Sequence, residues 1–238
     1  MKILAVADLH YTLKQWDWLV QVADTVDLIV IAGDLLDSAS PVEMDVQILV
    51  TLRYLRKLRD VTRLAVSSGN HDLRPTDFDH EARWLQQARA DNVAVDGDSI
   101  QIGDSWITVC PWWDGPLIRQ RCSELLETAN TKRGTEHWIW IHHAPPQDSL
   151  VSWTGKIFYG DANLREWIDQ LHPNIVLVGH VHNAPFADKG SWADQLSDTW
   201  VFNPGRQIGP VPTHLVLDLE AQVVDYYSLA GHDQRHLR

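Results

Sequence analysis

Cysteine is nearly absent. The chain of 238 residues holds two, Cys110 and Cys122. That is too few for a disulfide framework, so a reduced, cytoplasmic setting is the expectation. Long apolar runs are missing as well: none approaches the roughly 20 residues of a membrane span, and no membrane partner is expected. The opening stretch from Met1 reaches Asp8 too soon to read as a secretory leader. Positive charge is scarce, with 20 Lys and Arg against 32 Asp and Glu and a net charge of −12. A surface this acidic repels phosphate backbones, which argues against nucleic acid as the partner. There is no Pro/Gly/Ser-rich linker, no repeat and no low-complexity tract. The hydrophobic fraction, 45%, is ordinary and supports a substantial core. The expectation is one α/β domain over residues 1–230, followed by a polar C-terminal tail over 231–238 that frays. Nothing here sets an oligomeric state.

The aliphatic runs Lys2 to Ala7, Asp27 to Ala32 and Val61 to Val66 read as buried strands. Helical spacing from Leu13 to Asp24 and from Pro41 to Arg59 separates them. Strand, helix, strand with short connections implies parallel neighbours and a right-handed crossover. A further helix is expected over 79–90. Short runs at 92–95, 99–102 and 106–109, with Asp96-Gly97-Asp98 and Gly103-Asp104 between them, predict a meander of hairpins. Helices follow at 117–130 and 162–171, and buried strands at His137 to Ile141 and Asn174 to Val178. The polar stretch 183–198 reads as a rim loop. The pair 214–218 and 223–227 reads as a hairpin closing a second sheet.

What the strands deliver is unusual. Five end in Asp8-Leu9-His10, Gly33-Asp34, Gly69-Asn70-His71-Asp72, His142-His143 and Gly179-His180-Val181-His182. Residues two apart on an extended chain face one side, so Asp8 with His10, and His180 with His182, can converge. C-terminal ends of adjacent parallel strands are where open α/β sheets gather ligands. Carboxylate oxygen, amide oxygen and imidazole nitrogen, without thiolate, suit hard-to-borderline cations. Two such ions about 3.5–4 Å apart can share one carboxylate. Arg206, after Asn203-Pro204-Gly205, is a candidate for a substrate phosphate. Trp112, Trp113, Trp153 and Trp192 fall in expected loops and are candidates for stacking on a base or aromatic leaving group.

In this order the clusters resemble the calcineurin-like metallophosphoesterases, over residues 1 to about 210. Pro145-Pro146, the stretch Gly160 to Leu164 and Asn203-Pro204-Gly205 fit the same pattern. The resemblance implies a four-layer α/β/β/α sandwich of two mixed β-sheets. It implies two divalent or trivalent ions, manganese or iron first, with zinc, nickel or cobalt as alternates. Asp8, His10 and His182 would hold one ion, and Asn70, His142 and His180 the other, with Asp34 bridging. His142 rather than His143 takes the ligand role in this reading. His71 would be the general acid, oriented by Asp72. The implied reaction is hydrolysis of a small phosphate ester, a diester favoured and a nucleotide included, by a hydroxide shared between the ions. The alternatives are a phosphomonoesterase, a nuclease, or a catalytically silent scaffold of the same fold. Gly33-Asp34-Leu35-Leu36-Asp37-Ser38 lacks the arginine and glycine of the protein serine/threonine phosphatase branch, and Asp72 stands where that branch carries glutamate.

Overall fold

Alternation along the strands decides the architecture. In β1 (Lys2–Val6), Ile3 and Ala5 join one buried cluster while Leu4 and Val6 join another. β2 (Leu28–Ala32) and β3 (Arg63–Ser67) split their side chains in the same way. A strand that is apolar on both faces must be covered on both. The computed structural model, which describes every residue except 75, 76, 78–80, 114, 135, 136 and 238, shows what covers them. On the outer face of this sheet lie α1 (Leu13–Val22) and α2 (Met44–Arg59), which contribute Trp16, Leu19, Ile48, Leu55 and Leu58. On the inner face lies a second sheet.

The remaining elements are β4 (Ala94–Val95), β5 (Ser99–Ile102), β6 (Ser105–Val109), α3 (Pro116–Lys132), β7 (His137–Ile141), α4 (Ala162–Leu171), β8 (Ile175–Leu177), β9 (Ala193–Leu196), β10 (Thr199–Phe202), β11 (His214–Asp218), β12 (Val223–Ser228) and β13 (Gly231–His236). The first sheet runs β13-β12-β11-β1-β2-β3-β4 and the second β5-β6-β7-β8-β10-β9. Ile139 and Ile141 of β7 face the core between the sheets, whereas Trp138 and Trp140 face α3 and α4. The result is the four-layer α/β/β/α sandwich of two mixed sheets. Among the described residues, no helix is long and apolar enough to cross a membrane.

Periodicity identified strands but not always their partners. β4 is not the first arm of a meander; it pairs in parallel with β3 and extends the first sheet. β11 and β12 do not close the second sheet, because β11 lies antiparallel to β1. The 231–238 tail does not fray over Gly231–His236, which pairs residue for residue with β12. Its polar side chains suit an edge strand, where both faces can meet water. The polar stretch 183–198 contains β9, the edge of the second sheet. The helix expected over 79–90 is a 3₁₀ helix at Leu85–Asp91, and residues 79 and 80 lie outside the described part.

Candidate metal centre

β1, β2 and β3 of the first sheet and β7 and β8 of the second end at one edge of the sandwich, and their loops interlock there. The loop after β1 follows the loop after β2: Asp8, His10 and Tyr11 N–H donate to the carbonyls of Gly33, Asp34 and Leu35 at 3.1, 2.9 and 2.9 Å. Between the sheets, His180 N–H donates to both oxygens of the Asp8 carboxylate at 3.1 Å, and within the second sheet Gly179 N–H donates to His143 O at 2.9 Å. Asn203 is fully buried. Its Nδ2 reaches the carbonyls of Val151, Gly179 and Val181, and its Oδ1 accepts from Gly205 N–H. It thereby pins the loop that carries His180 and His182.

The loops are tight enough to exclude side chains. Gly33 takes a left-handed φ of +82°, and a Cβ there would overlap the His143 ring. A Cβ on Gly69 would overlap Asp34 Oδ1. Four donor residues also carry left-handed backbone: Asp8 (φ 56°), His10 (41°), Asp34 (54°) and His180 (67°). Such conformations cost of order 1–3 kcal/mol each and collect at functional sites.

Three groups of donor atoms result among the described residues, and two of them contain Asp34. Asp8, His10, Asp34 and His182 bring one atom each within 4.8 Å of one another, and Asp34, His143 and His180 do the same. Asp34 belongs to both. Its Oδ2 lies 3.5 Å from His10 Nε2 and 3.1 Å from His143 Nε2, while Oδ1 accepts from His71 N–H at 2.9 Å. Asn70 Oδ1 is buried without a hydrogen-bond partner, a costly state unless something binds it. Burial lowers His10 and His180 to about 4, outweighing the nearby carboxylates, and so favours the neutral ring that a cation needs; His10 Nε2 lies 3.1 Å from His182 Nε2. Burial also opposes charge on His143, but Asp34 and Asp8 more than offset it and hold that ring up at about 9. In return, although burial pushes Asp34 up, His143 and His10 pull it well below the usual carboxylate range. An orphaned amide oxygen, converging imidazole nitrogens and a carboxylate common to both clusters form a donor set that suits hard-to-borderline cations.

Most of the expected site residues converge here, and two do not play the expected part. His143, not His142, joins the clusters. Parity along β7 is the cause: His143 continues the inward series of Ile139 and Ile141, and His142 the outward series of Trp138 and Trp140. The His142 ring stacks on Trp113 at 4.0 Å and 10°, and its burial lowers it to about 3. Asp72 does not orient His71. Its carboxylate accepts from the N–H groups of Leu35, Leu36 and Gly69 at 3.0, 3.0 and 2.8 Å, bracing the loops after β2 and β3 against each other. Burial, helped by the Asp34 charge, pushes it up to about 8.

His71 is held instead by Ser38, whose Oγ lies 2.8 Å from Nδ1. Asp37 and His10 place donor atoms within 4.8 Å of it, and the His71 and His10 rings meet edge-on at 4.6 Å. Asp37 and Ser38 carried no separate motif signal beyond following Gly33-Asp34. Arg206 N–H donates to His182 O at 3.2 Å, and its charge adds to the lowering of His10. Of the loop tryptophans, Trp112 borders the site, 5.2 Å from His180 and 5.6 Å from His143. Trp113 and Trp192 are core, and Trp153 packs on Phe158.

Residues 1–184 match the family model described as calcineurin-like phosphoesterase. Among solved structures, the chain is similar to TT1561 of Thermus thermophilus, with 17% identity, a TM-score of 0.64, and 100% of this chain and 99% of that one covered. It is also similar to the purple acid phosphatase PPD1 from yellow lupin (Lupinus luteus) seeds, with 12% identity and a TM-score of 0.59. There the match covers 99% of this chain and 53% of the plant enzyme. At these identities the likeness concerns the fold. No curated protein sequence matches the chain.

Proposed function

Since the chain belongs to the calcineurin-like phosphoesterase family, we propose that it hydrolyses small phosphate esters, diesters before monoesters, at this centre. The observation that carries the reading is Asp34, one buried carboxylate standing in both donor clusters. Asp8, His10, His182 and Asp34 would hold one cation, and Asp34, Asn70, His143 and His180 the other. When bound, such ions supply a water acidic enough to ionise near neutral pH and positive charge against the phosphate oxygens.

The protein's own groups do the rest. Asp72 fixes the loop that carries Asn70 and His71 through its three backbone bonds. His71 is partly exposed beside His10. With Nδ1 held by Ser38, it presents Nε2 to donate a proton to the leaving oxygen. The Asp37 carboxylate places a donor atom within 4.8 Å of the ring. Arg206, whose charge reaches His10, would pair with a non-bridging phosphate oxygen.

Chelated protein is expected to be inert, and added manganese to restore turnover of bis(p-nitrophenyl) phosphate above that of p-nitrophenyl phosphate. Turnover of the monoester alone would make the protein a phosphatase; no turnover of either with metal bound would sink the hydrolase reading. The role of His71 has its own signature. A poor alkoxide leaving group needs the acid, and nitrophenolate does not. His71→Ala should therefore slow an alkyl ester by about 10²-fold and a nitrophenyl ester only several-fold. Equal losses on both would count against the acid.

A further inference from the structure

Beside the donor clusters the chain makes a short hairpin whose exposed side chains are large and apolar. Trp153 and Phe158 form an antiparallel bridge. Thr154 N–H donates to Ile157 O at 2.9 Å, and Tyr159 N–H to Ser152 O at 2.8 Å. The base is fixed: Trp153 Nε1 donates to Asp188 O at 2.8 Å, and Asn203 holds the Val151 carbonyl. On this anchored hairpin Ile157, Phe158 and Tyr159 are 60%, 44% and 56% exposed. An ordered apolar patch left in water beside a chemical site marks a ligand surface more often than chance.

Tyr159 connects the patch to the centre. Its ring stacks on His180 at 5.3 Å and 25°, yet more than half of the residue stays open. It lines a hollow of about 200 Å³ together with Thr154, His180, Val181, His182 and Asn183. On another side of His180 stands Trp112, tilted at 45° and 5.2 Å away. His71 lies elsewhere, packed on His10. A proton donated by His71 goes to the leaving oxygen, so the ester group retained on phosphorus is the one free to turn toward Tyr159.

We propose that the hollow against Tyr159 is the subsite for the retained ester group, and that it takes a flat aromatic group, an aryl or a nucleobase. The proposal rests on the phosphodiesterase reading above. It names what that reading leaves open, the class of substituent.

Two substrates with one leaving group test it. Bis(p-nitrophenyl) phosphate retains an aryl group, and methyl p-nitrophenyl phosphate retains a methyl. The wild-type protein with manganese should prefer the first, through KM. Tyr159→Ala should lose about tenfold more on the first than on the second, and Tyr159→Phe should keep the preference. Equal losses on both substrates, or loss of bound manganese in Tyr159→Ala, would overturn the proposal and make Tyr159 a support for His180. A binding arm stands apart from turnover: phenylphosphonate should bind the manganese-loaded protein about tenfold more tightly than methylphosphonate, and Tyr159→Ala should abolish that difference. If neither ester is hydrolysed but the phosphonates behave so, the subsite stands and the hydrolase reading falls. If the phosphonates bind alike, the subsite falls whatever the turnover. A preference for p-nitrophenyl thymidine 5′-phosphate over the bis-aryl ester would identify the retained group as a nucleoside, and the reverse order as a simple aryl.

Discussion

Asp34→Ala will bring hydrolysis of bis(p-nitrophenyl) phosphate down by about 10⁴-fold or more, and the variant will leave a desalting column with far less than one manganese per chain. The size follows from position. Of the donors in the two clusters that contain it, Asp34 is the one common to both. It is also the anion that offsets burial of His143, at 3.1 Å, and it accepts the His71 N–H at 2.9 Å. Removing it takes away the carboxylate that, in the proposed reading, would let two cations lie close together, and it frees the loop bearing His71. Electrostatic stabilisation of developing charge is usually the largest single contribution in such reactions, and in the proposed reading it would be lost for both ions at once. Asn70→Ala supplies the contrast, since its orphaned amide oxygen serves one ion only: one manganese per chain should remain. If Asp34→Ala retained two, its place between the clusters would be refuted.

The adjacent histidines should separate cleanly. His143→Ala will cost about 10³-fold in turnover and roughly one metal ion per chain, on top of the stability lost with a buried ring paired with Asp34. His142→Ala will keep its metal and lose stability alone, by about 2–4 kcal/mol, because a buried ring stacked on Trp113 at 4.0 Å leaves a cavity. His142→Phe, which keeps a flat ring in the outward-facing slot, should recover most of that loss. The opposite pattern, with metal lost from the His142 variants and retained in His143→Ala, would return the ligand role to His142.

That the two histidines could be told apart from sequence at all is instructive. The alternation Trp138, Ile139, Trp140, Ile141 already distinguishes an outward series from an inward one, and His143 falls on the inward count. Family likeness pointed to His142, and strand parity, which that reading left unused, turns His143 toward the donor clusters instead. Much of the centre was legible in this way: the donor clusters stand out because carboxylates and imidazoles are costly to gather at the ends of so many apolar strands without a ligand. Other features left no local trace. Asp72 looks like a partner for His71 because they are neighbours, but a 3₁₀ turn directs successive side chains apart, and the carboxylate finds backbone N–H groups 36 and 37 residues away. β11 and β12 read as a hairpin on either sheet; only the packing of β11 against β1 decides which. The hairpin bearing Tyr159 comes from a stretch with no motif, and its meaning depends on His180, brought beside it by the fold.

The left-handed backbone at Asp8, His10, Asp34 and His180 bears on how freely this centre can drift in evolution. Asp and His are among the few side-chain-bearing residues that enter that region at modest cost, with Asn the third. They are also the oxygen and nitrogen donors that a hard-to-borderline cation requires. Two unrelated filters, one steric and one chemical, therefore pass nearly the same short alphabet. Glutamate offers the same carboxylate but not the same ease with the backbone, and glycine offers the backbone without the donor. At these positions the permitted neighbours in sequence space are almost confined to exchanges within Asp, Asn and His, so the centre can vary in charge and metal preference while its geometry stays where it is.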